Sequence, residues 1–174
     1  YQVYFVNNIK RIPFVFNSIN EFDTRWSPNG KTIVIKDRRY KSNSQFQDFI
    51  RLVDKQTLQT ATILEDAIGT KILGYSNDSN KLFILTHATE TINQLWFYNI
   101  PARQFKMQWS SKEINSSAIL SPDNKSLLTR RLSKTKSEQF AIVNLQTGKS
   151  SKIYETRKRI KEQFWLNPEN IGYL

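Results

Sequence analysis

Short apolar runs alternate with compact polar turns along the chain, and one turn sequence recurs ahead of such a run. It reads Ser-Pro-Asn-Gly-Lys at 27–31 and Ser-Pro-Asp-Asn-Lys at 121–125, with weaker versions beginning at Ser76 and Asn167. The second residues of the four turns, at positions 28, 77, 122 and 168, are 49, 45 and 46 positions apart. Turns of this composition join neighbouring strands, so the pattern predicts a repeated β-hairpin.

A second feature keeps nearly the same period. Asn or Asp ends a strand-like run at Asn7, Asp54, Asn99 and Asn144, at steps of 47, 45 and 45 residues. These side chains bond the backbone two residues on and thereby cap a turn. A period in the forties built of short strands is typical of a β-propeller with one four-stranded antiparallel blade per repeat.

The expected fold is therefore all-β, a single propeller region over 1–174 that holds about four blades' worth of chain. Its predicted parts are the outer strands of one blade at 1–16, complete blades at 24–65, 71–109 and 116–154, and the inner strands of a further blade at 163–174.

One segment, Arg38–Ser44, breaks the strand pattern and predicts a long loop between strands at Thr32–Asp37 and Gln47–Asp54. A helix over Gln45–Ile50 is the alternative, because its apolar residues share one helical face. The strand is preferred, since the neighbouring repeats place a strand at the equivalent position.

Composition fits a folded domain and narrows the available chemistry. Hydrophobic residues make up 39% of the 174 residues, and the absence of cysteine excludes disulfides and thiol nucleophiles. No apolar run approaches the roughly 20 residues that span a bilayer. The chain opens in a strand-like run at Tyr1 without an initiator Met, so we expect a portion of a longer protein.

The sequence offers little catalytic chemistry. His87 is the only histidine, no Gly-x-Ser-x-Gly turn accompanies it, and neither phosphate-binding glycine motifs nor clustered metal ligands occur. Glu65 and Asp66 are adjacent, but they fall in a predicted connection. We expect no enzyme, no cofactor and no metal. The four tryptophans are expected to pack between blades rather than to stack on a ligand; they are Trp26, Trp96, Trp109 and Trp165.

Charge is the more informative feature, since the chain has 26 basic and 15 acidic residues and therefore a net charge of +11. Twelve of the basic residues form three clusters: Lys36, Arg38, Arg39 and Lys41; Arg130, Arg131, Lys134 and Lys136; Arg157, Lys158, Arg159 and Lys161. In an up-and-down blade, second-to-third and blade-to-blade connections emerge on the same face. The clusters are therefore predicted to gather on one rim as an anion- or partner-binding surface, with a merely solvated cationic surface as the alternative.

The Ser-Pro-x-x-Lys turns at 27–31 and 121–125, each followed by an apolar strand, resemble the TolB-like propeller repeats of bacterial envelope proteins. Asn77 replaces the proline in the second repeat. The resemblance implies the fold and a periplasmic location. It also suggests the periplasmic portion of a membrane-anchored winged-helix activator of the CadC and ToxR type, held by a transmembrane helix outside this chain.

Three functions remain open at this point. The first is a non-catalytic interaction or sensing module with a protein partner, and the second is binding of a nucleic acid, another anionic polymer or a lipid through the basic rim. The third is the propeller portion of a prolyl-oligopeptidase-like hydrolase whose catalytic domain lies elsewhere. Closure of the ring is expected to use further blades of a longer chain; a four-bladed ring and a homodimer are the alternatives.

Overall fold

The structure is a computed structural model. It describes all residues except 1, 7–10, 16–22, 42–44, 66–68, 90–91, 112–114 and 133–135, and it describes the backbone alone of 2–6, 11–15, 40, 41, 45, 87–89, 92, 115, 116 and 132. Two compact units divide the chain at Gly69 and Thr70. Every regular element in the described residues is a strand, so the all-β prediction is confirmed.

The first unit contains a hairpin and one four-stranded sheet. The hairpin pairs β1 (Gln2–Val6) with β2 (Arg11–Val15). The sheet is an antiparallel meander in chain order, formed by β3 (Asp23–Trp26), β4 (Thr32–Lys41), β5 (Gln45–Asp54) and β6 (Thr60–Glu65). Adjacent strands in sequence are thus adjacent in space.

The second unit contains two four-stranded meanders and a final hairpin. The first meander consists of β7 (Lys71–Tyr75), β8 (Lys81–Thr89), β9 (Ile92–Asn99) and β10 (Gln104–Ser111). The second consists of β11 (Asn115–Leu120), β12 (Ser126–Leu132), β13 (Glu138–Asn144) and β14 (Ser150–Thr156). The hairpin pairs β15 (Gln163–Trp165) with β16 (Ile171–Tyr173).

The loop predicted for Arg38–Ser44 is wrong over its first half. Strand β4 runs on to Lys41, and its ladder with β5 continues from the pair Arg38 and Asp48 to the pair Lys41 and Gln45. Arg38 remains in the strand because Asp48 on the facing strand accepts its side chain, and Arg39 remains there because Asp37 of the same strand accepts its own. The helical alternative for Gln45–Ile50 is also excluded, since that segment belongs to β5.

The recurring turn is held by one hydrogen-bond pattern. The Ser121 hydroxyl donates to Asp123 Oδ1 at 2.6 Å and accepts the Ser126 amide at 2.9 Å, while the Lys125 amide donates to Asp123 at 3.1 Å. Ser27 and Ser76 anchor the earlier turns in the same way. These bonds close the turn tightly enough for the next strand to pair back on the previous one.

We expect Asp123→Ala to lower the free energy of unfolding by about 1 kcal/mol, because the substitution leaves the Ser121 hydroxyl and the Lys125 amide without their acceptor. Urea unfolding checks this value. The backbone hydrogen bonds of the hairpin should survive, so the variant should keep the far-ultraviolet spectrum of a β protein. An unchanged unfolding midpoint would show that the turn does not depend on this side chain.

The second set of turns also follows the sequence prediction. The Asp54 carboxylate accepts the amides of Gln56 and Thr57 at 2.9 and 2.8 Å, and Asn144 accepts two amides in the same arrangement. Asn99 accepts the amide of Ala102 at 3.0 Å. The capping role predicted for these three residues is confirmed; Asn7 lies outside the described residues.

Apolar side chains of the two meanders in the second unit pack into one core. It contains Phe83 and Leu95 of the first meander together with Leu127 and Val143 of the second, and Trp109 packs against it. The final hairpin adds Trp165 to a neighbouring cluster around Phe140. Packing between sheets was thus rightly predicted for these two tryptophans.

Trp96 in β9 is half-buried. The prediction is wrong for Trp26, which is 47% exposed. Trp26 ends β3 next to the turn, where the Lys55 ammonium lies 6.0 Å from its ring centroid.

Candidate partner-binding surface

The first basic cluster is largely engaged by a buried carboxylate. Asp48 has no exposed side-chain surface, and its two oxygens accept Nε and Nη2 of Arg38 at 2.6 and 3.0 Å. The Lys36 ammonium lies 3.2 Å from the same carboxylate. All three side chains are on one face of the sheet, because Arg38 pairs with Asp48 across the ladder and Lys36 is two residues away.

The opposite face of the same sheet carries a second such group. Asp37 is also fully buried, and it lies 3.3 Å from Arg39 Nε and 3.4 Å from Arg51 Nε. Both guanidinium groups also lie over the Phe49 ring, at 5.4 and 5.2 Å from its centroid. Two carboxylates therefore offset four cations within the first unit, and these cations stabilise the sheet.

The described side chains of the first cluster are thus bound to carboxylates within the sheet and do not form an unpaired anion-binding surface. Lys36 and Arg38 are partly buried and bound to Asp48, and Arg39 is bound to Asp37. The side chain of Lys41 lies outside the described residues. Sequence reasoning missed this arrangement because the carboxylate partner of Arg38 is ten residues away in the chain.

The structure brings the second and third basic clusters together in the second unit. Arg130 Nη1 donates to the carbonyl oxygen of Ile160 at 2.8 Å, and the Ile160 amide donates to Glu138 Oε2 at 2.9 Å. Arg131 Nε donates to Gln139 Oε1 at 2.8 Å. Arg130 and Glu138 therefore fasten the segment that follows β14 across the end of the β12–β13 hairpin, whereas Arg131 bonds within that hairpin.

Beside these arginines lie five exposed cations, which we call the cationic patch: Lys136, Arg157, Lys158, Arg159 and Lys161. The ladder pairs Glu138 with Thr156, so Lys136 and Lys158 leave neighbouring strands at the same end. Within the described residues, none of the five forms an ion pair. Lys134 lies outside the described residues.

A nearby carboxylate, Glu155, is engaged elsewhere. It accepts Lys152 and the Ser137 hydroxyl. Lys152 first, then Ser137 and Gln139, lower the pKa of Glu155 from 4.5 to about 2. Glu155 therefore stays ionised at neutral pH, yet it is paired with Lys152 rather than with the cationic patch.

Three aromatic rings adjoin the patch. Tyr154 and Tyr173 stack at 5.3 Å with an interplanar angle of 17°, and Phe140 lies 6.1 and 6.4 Å from them. The two tyrosines are 39% and 48% exposed, whereas Phe140 is buried. A hydrogen bond from Tyr173, another from Thr156 and the nearby charge of Lys158 lower the pKa of Tyr154.

Tyr154 lies three residues before the third basic cluster in the chain, and Tyr40 lies within the first cluster. The side chain of Tyr40 lies outside the described residues. Sequence reasoning missed Phe140 and Tyr173 as partners of Tyr154, since Tyr173 lies in another hairpin and no local pattern links the two. Cations and exposed rings side by side form a surface suited to an anionic partner with apolar or planar groups.

The residues considered for catalysis or metal binding form no site within the described part of the chain. His87 lies in β8, and its side chain is outside the description. Glu65 ends β6, and Asp66 is not among the described residues. No group of three or more potential metal ligands occurs in the described part of the chain. Nor do those residues include a helix long and apolar enough to cross a bilayer.

Comparison with known proteins identifies the fold. No protein-family model and no curated protein matches the chain in sequence. Among solved structures, it is similar to TolB from Acinetobacter baumannii, with a TM-score of 0.61 and 19% identity over 82% of this chain and 34% of that one. The β-propeller domain of the trilobed protease from Pyrococcus furiosus gives a TM-score of 0.59 and 14% identity, covering 82% and 44%.

Oligogalacturonate lyase from Vibrio parahaemolyticus gives a TM-score of 0.65 and 10% identity, covering 99% of this chain and 52% of that one. The chain thus spans between about a third and a half of the length of these three proteins. At such identities the likeness shows the fold alone. The prediction of TolB-like β-propeller blades from the recurring turns is confirmed.

Proposed function

We propose that this chain is a non-catalytic β-propeller interaction module of a bacterial envelope protein, located in the periplasm. The propeller fold and the likeness to TolB support this proposal. The observation that carries it is the cationic patch beside Tyr154 and Tyr173, because an exposed charged and aromatic surface next to a rigid sheet is typical of a docking site. The partner is an acidic protein surface, attracted by charge and held by contact with the rings.

Charge reversal at four patch residues tests the proposal on heparin, used as a model polyanion. The changes are Lys136→Glu, Arg157→Glu, Lys158→Glu and Arg159→Glu. We expect the variant to elute at a much lower salt concentration than the wild type, because fewer cations remain to release counterions from the polymer. Arg130 and Arg131 are left intact, since Arg130 holds the segment that follows β14 and Arg131 bonds across the β12–β13 hairpin.

A matched variant carries the same change in net charge away from the patch, at four exposed lysines: Lys31, Lys71, Lys106 and Lys149. It should elute much closer to the wild type than the patch variant does. Equal loss of retention in both variants would mean that net charge alone is responsible, and the docking surface would be wrong. Circular dichroism of both variants verifies that the sheets have formed.

A sensing role in a membrane-anchored transcription activator of the CadC and ToxR type is a narrower form of the same proposal. It requires a winged-helix domain and a transmembrane helix in the full-length protein, and their absence there would exclude it.

The hydrolase alternative draws support from the similar propeller domain of the trilobed protease. It requires a Gly-x-Ser-x-Gly turn elsewhere in the same full-length protein. The full-length sequence therefore distinguishes a non-catalytic interaction module from the propeller portion of a hydrolase.

A further inference from the structure

A small cleft opens between the two meanders of the second unit, at the end where the recurring turns lie. Its volume is about 170 Å³, and its walls come from β8, β9 and β10 on one side and from the turns that follow β11 and β13 on the other. This is the opposite end of the second meander from the cationic patch, because successive antiparallel turns alternate between the two ends. The cleft is therefore a separate site.

The charge lining the cleft is entirely positive. Lys81 and Lys125 are its two ionisable residues. The Lys81 ammonium lies 5.0 Å from the centroid of the Phe97 ring, at the cleft wall. Lys125 is exposed, and within the described residues neither lysine forms an ion pair.

The nearest aspartates belong to the turns and are held there. Asp78 Oδ1 accepts the Ser76 hydroxyl at 2.5 Å, and Asp123 Oδ1 accepts the Ser121 hydroxyl at 2.6 Å. In each turn, first the hydrogen bond from the serine and then the charge of the lysine contribute to lowering the pKa of the aspartate. Neither aspartate lines the cleft. The lining of the cleft therefore includes two lysines and no carboxylate, so that a bound anion would be attracted and not repelled.

The floor of the cleft is apolar and fixed. Phe83 and Phe97 meet edge to face at 6.4 Å between centroids, and Leu145 closes the other side. The Gln108 side-chain amide donates to the carbonyl oxygen of Leu145 and so ties the two meanders together at this point. Phe83 and Leu145 are buried, so this part of the wall is preformed.

The volume limits what can bind. Clefts for drug-sized ligands run from roughly 300 to 1,000 Å³, and a cavity of about 150 Å³ accommodates one benzene ring. A cleft of 170 Å³ thus suits one ring or a short branched chain with a charged group at the rim. We propose that this cleft binds a small monocarboxylate with an apolar body of one ring, the carboxylate between Lys81 and Lys125 and the ring against Phe97.

Titration of the isotope-labelled full chain with benzoate, followed by amide and side-chain NMR, tests this assignment. We expect saturable shifts confined to the cleft, including the Gln108 side-chain amide and the backbone amides of Leu145 and Gln146. Benzamide has the same shape without the charge, and acetate has the charge without the ring. Each should bind at least about fivefold more weakly, the factor expected for the loss of roughly 1 kcal/mol.

The double variant Lys81→Gln, Lys125→Gln should weaken benzoate binding by about five- to thirtyfold, since each of the two exposed ion pairs contributes up to about 1 kcal/mol. Lys71→Gln, which removes an exposed lysine at the start of β7, serves as the matched control and should leave the affinity unchanged. Dispersed amide spectra of the variants verify that they fold.

Three results would overturn the assignment. The first is an absence of saturable shifts in the cleft of the wild-type chain at about 10 mM benzoate, ten times a millimolar dissociation constant. The second is equal affinity in the double variant and the wild type. The third is benzamide binding as tightly as benzoate. None of these results bears on heparin retention by the cationic patch, so the two proposals fail independently.

Discussion

Replacing Asp48 by asparagine should lower the free energy of unfolding by about 3 kcal/mol. The substitution keeps the size of the side chain but removes the charge that offsets Arg38 and Lys36 inside the β4–β5 ladder. Breaking a fully buried ion pair from one side costs roughly 3–5 kcal/mol, and the partial exposure of both cations reduces that figure. Urea unfolding at neutral pH measures the change.

A matched control is Asp23→Asn, the same substitution at an ion pair on the edge of the same sheet. Its partner Arg25 is 3.5 Å away and 54% exposed at the side chain, so the loss should stay below about 1 kcal/mol. If the two variants unfolded at the same urea concentration, the buried position of Asp48 would carry no extra stability and the proposed role of the first cluster would be wrong.

The same variant should change how stability depends on pH. Burial alone raises the pKa of Asp48, but hydrogen bonds from Arg38 and Lys36 outweigh it and hold the pKa below its ordinary value of 3.8. A carboxyl whose pKa is lower in the folded state stabilises the fold above its unfolded pKa, and this contribution disappears as the pH falls through the folded value. The difference between wild type and Asp48→Asn should therefore be constant near neutral pH and shrink below about pH 4.

The second large effect is expected at Phe140, in the core of the second meander. Phe140 is 2% exposed and packs with Leu128 and Ile160. Phe140→Ala removes a fully buried ring and leaves a cavity, so we expect a loss of about 3–5 kcal/mol. Thermal or urea unfolding measures the loss.

Phe140→Ala should also disturb the site, because its ring contacts both Tyr154 and Tyr173. The near-ultraviolet circular dichroism of the tyrosines should weaken accordingly. Tyr173→Ala is the control, since that ring is 48% exposed and its removal should cost far less. Equal losses in the two variants would show that Phe140 does not hold the cluster together.

The fold was predictable because the repeat is encoded in turn chemistry. Gly30, Ser79 and Asn124 occupy the same place in successive turns, and all three have positive φ, at 67°, 62° and 60°. Glycine and asparagine favour that conformation, so the first and third turns are visible in the sequence. Serine favours it less, so the second turn, in which Asn77 also replaces the proline, is one of the two weaker versions of the pattern.

The extension of β4 could not be read from the sequence. Arg38 and Arg39 look like loop residues until the ladder places Asp48 opposite the first and Asp37 beside the second. Which residues of two strands face each other depends on the register between the strands. The charged segment at the end of β4 has no apolar alternation from which that register could be predicted. The same reason explains why counting basic residues overstated the charge available to a partner in the first unit.

The contact between Tyr154 and Tyr173 in the candidate site could not be predicted from the sequence either. Tyr154 ends up against Tyr173 only because the final hairpin packs beside the second meander. No periodicity in the sequence relates a residue in β14 to one in β16. Contacts between strands of different sheets therefore had to come from the structure.

Three of the hydrogen bonds that join successive sheets in the second unit link residues about one period apart. The Asn77 side chain donates to the carbonyl oxygen of Pro122, 45 residues on. Gln163 donates to Ser117 and Trp165 donates to the carbonyl oxygen of Ile119, each across 46 residues. Each bond thus joins equivalent positions of neighbouring repeats, and the acceptors at Pro122 and Ile119 are backbone carbonyl oxygens, which any residue would supply. A duplicated repeat would keep those two acceptors whatever its side chains, so that two of these three contacts between neighbouring blades would depend on the donor side chain alone.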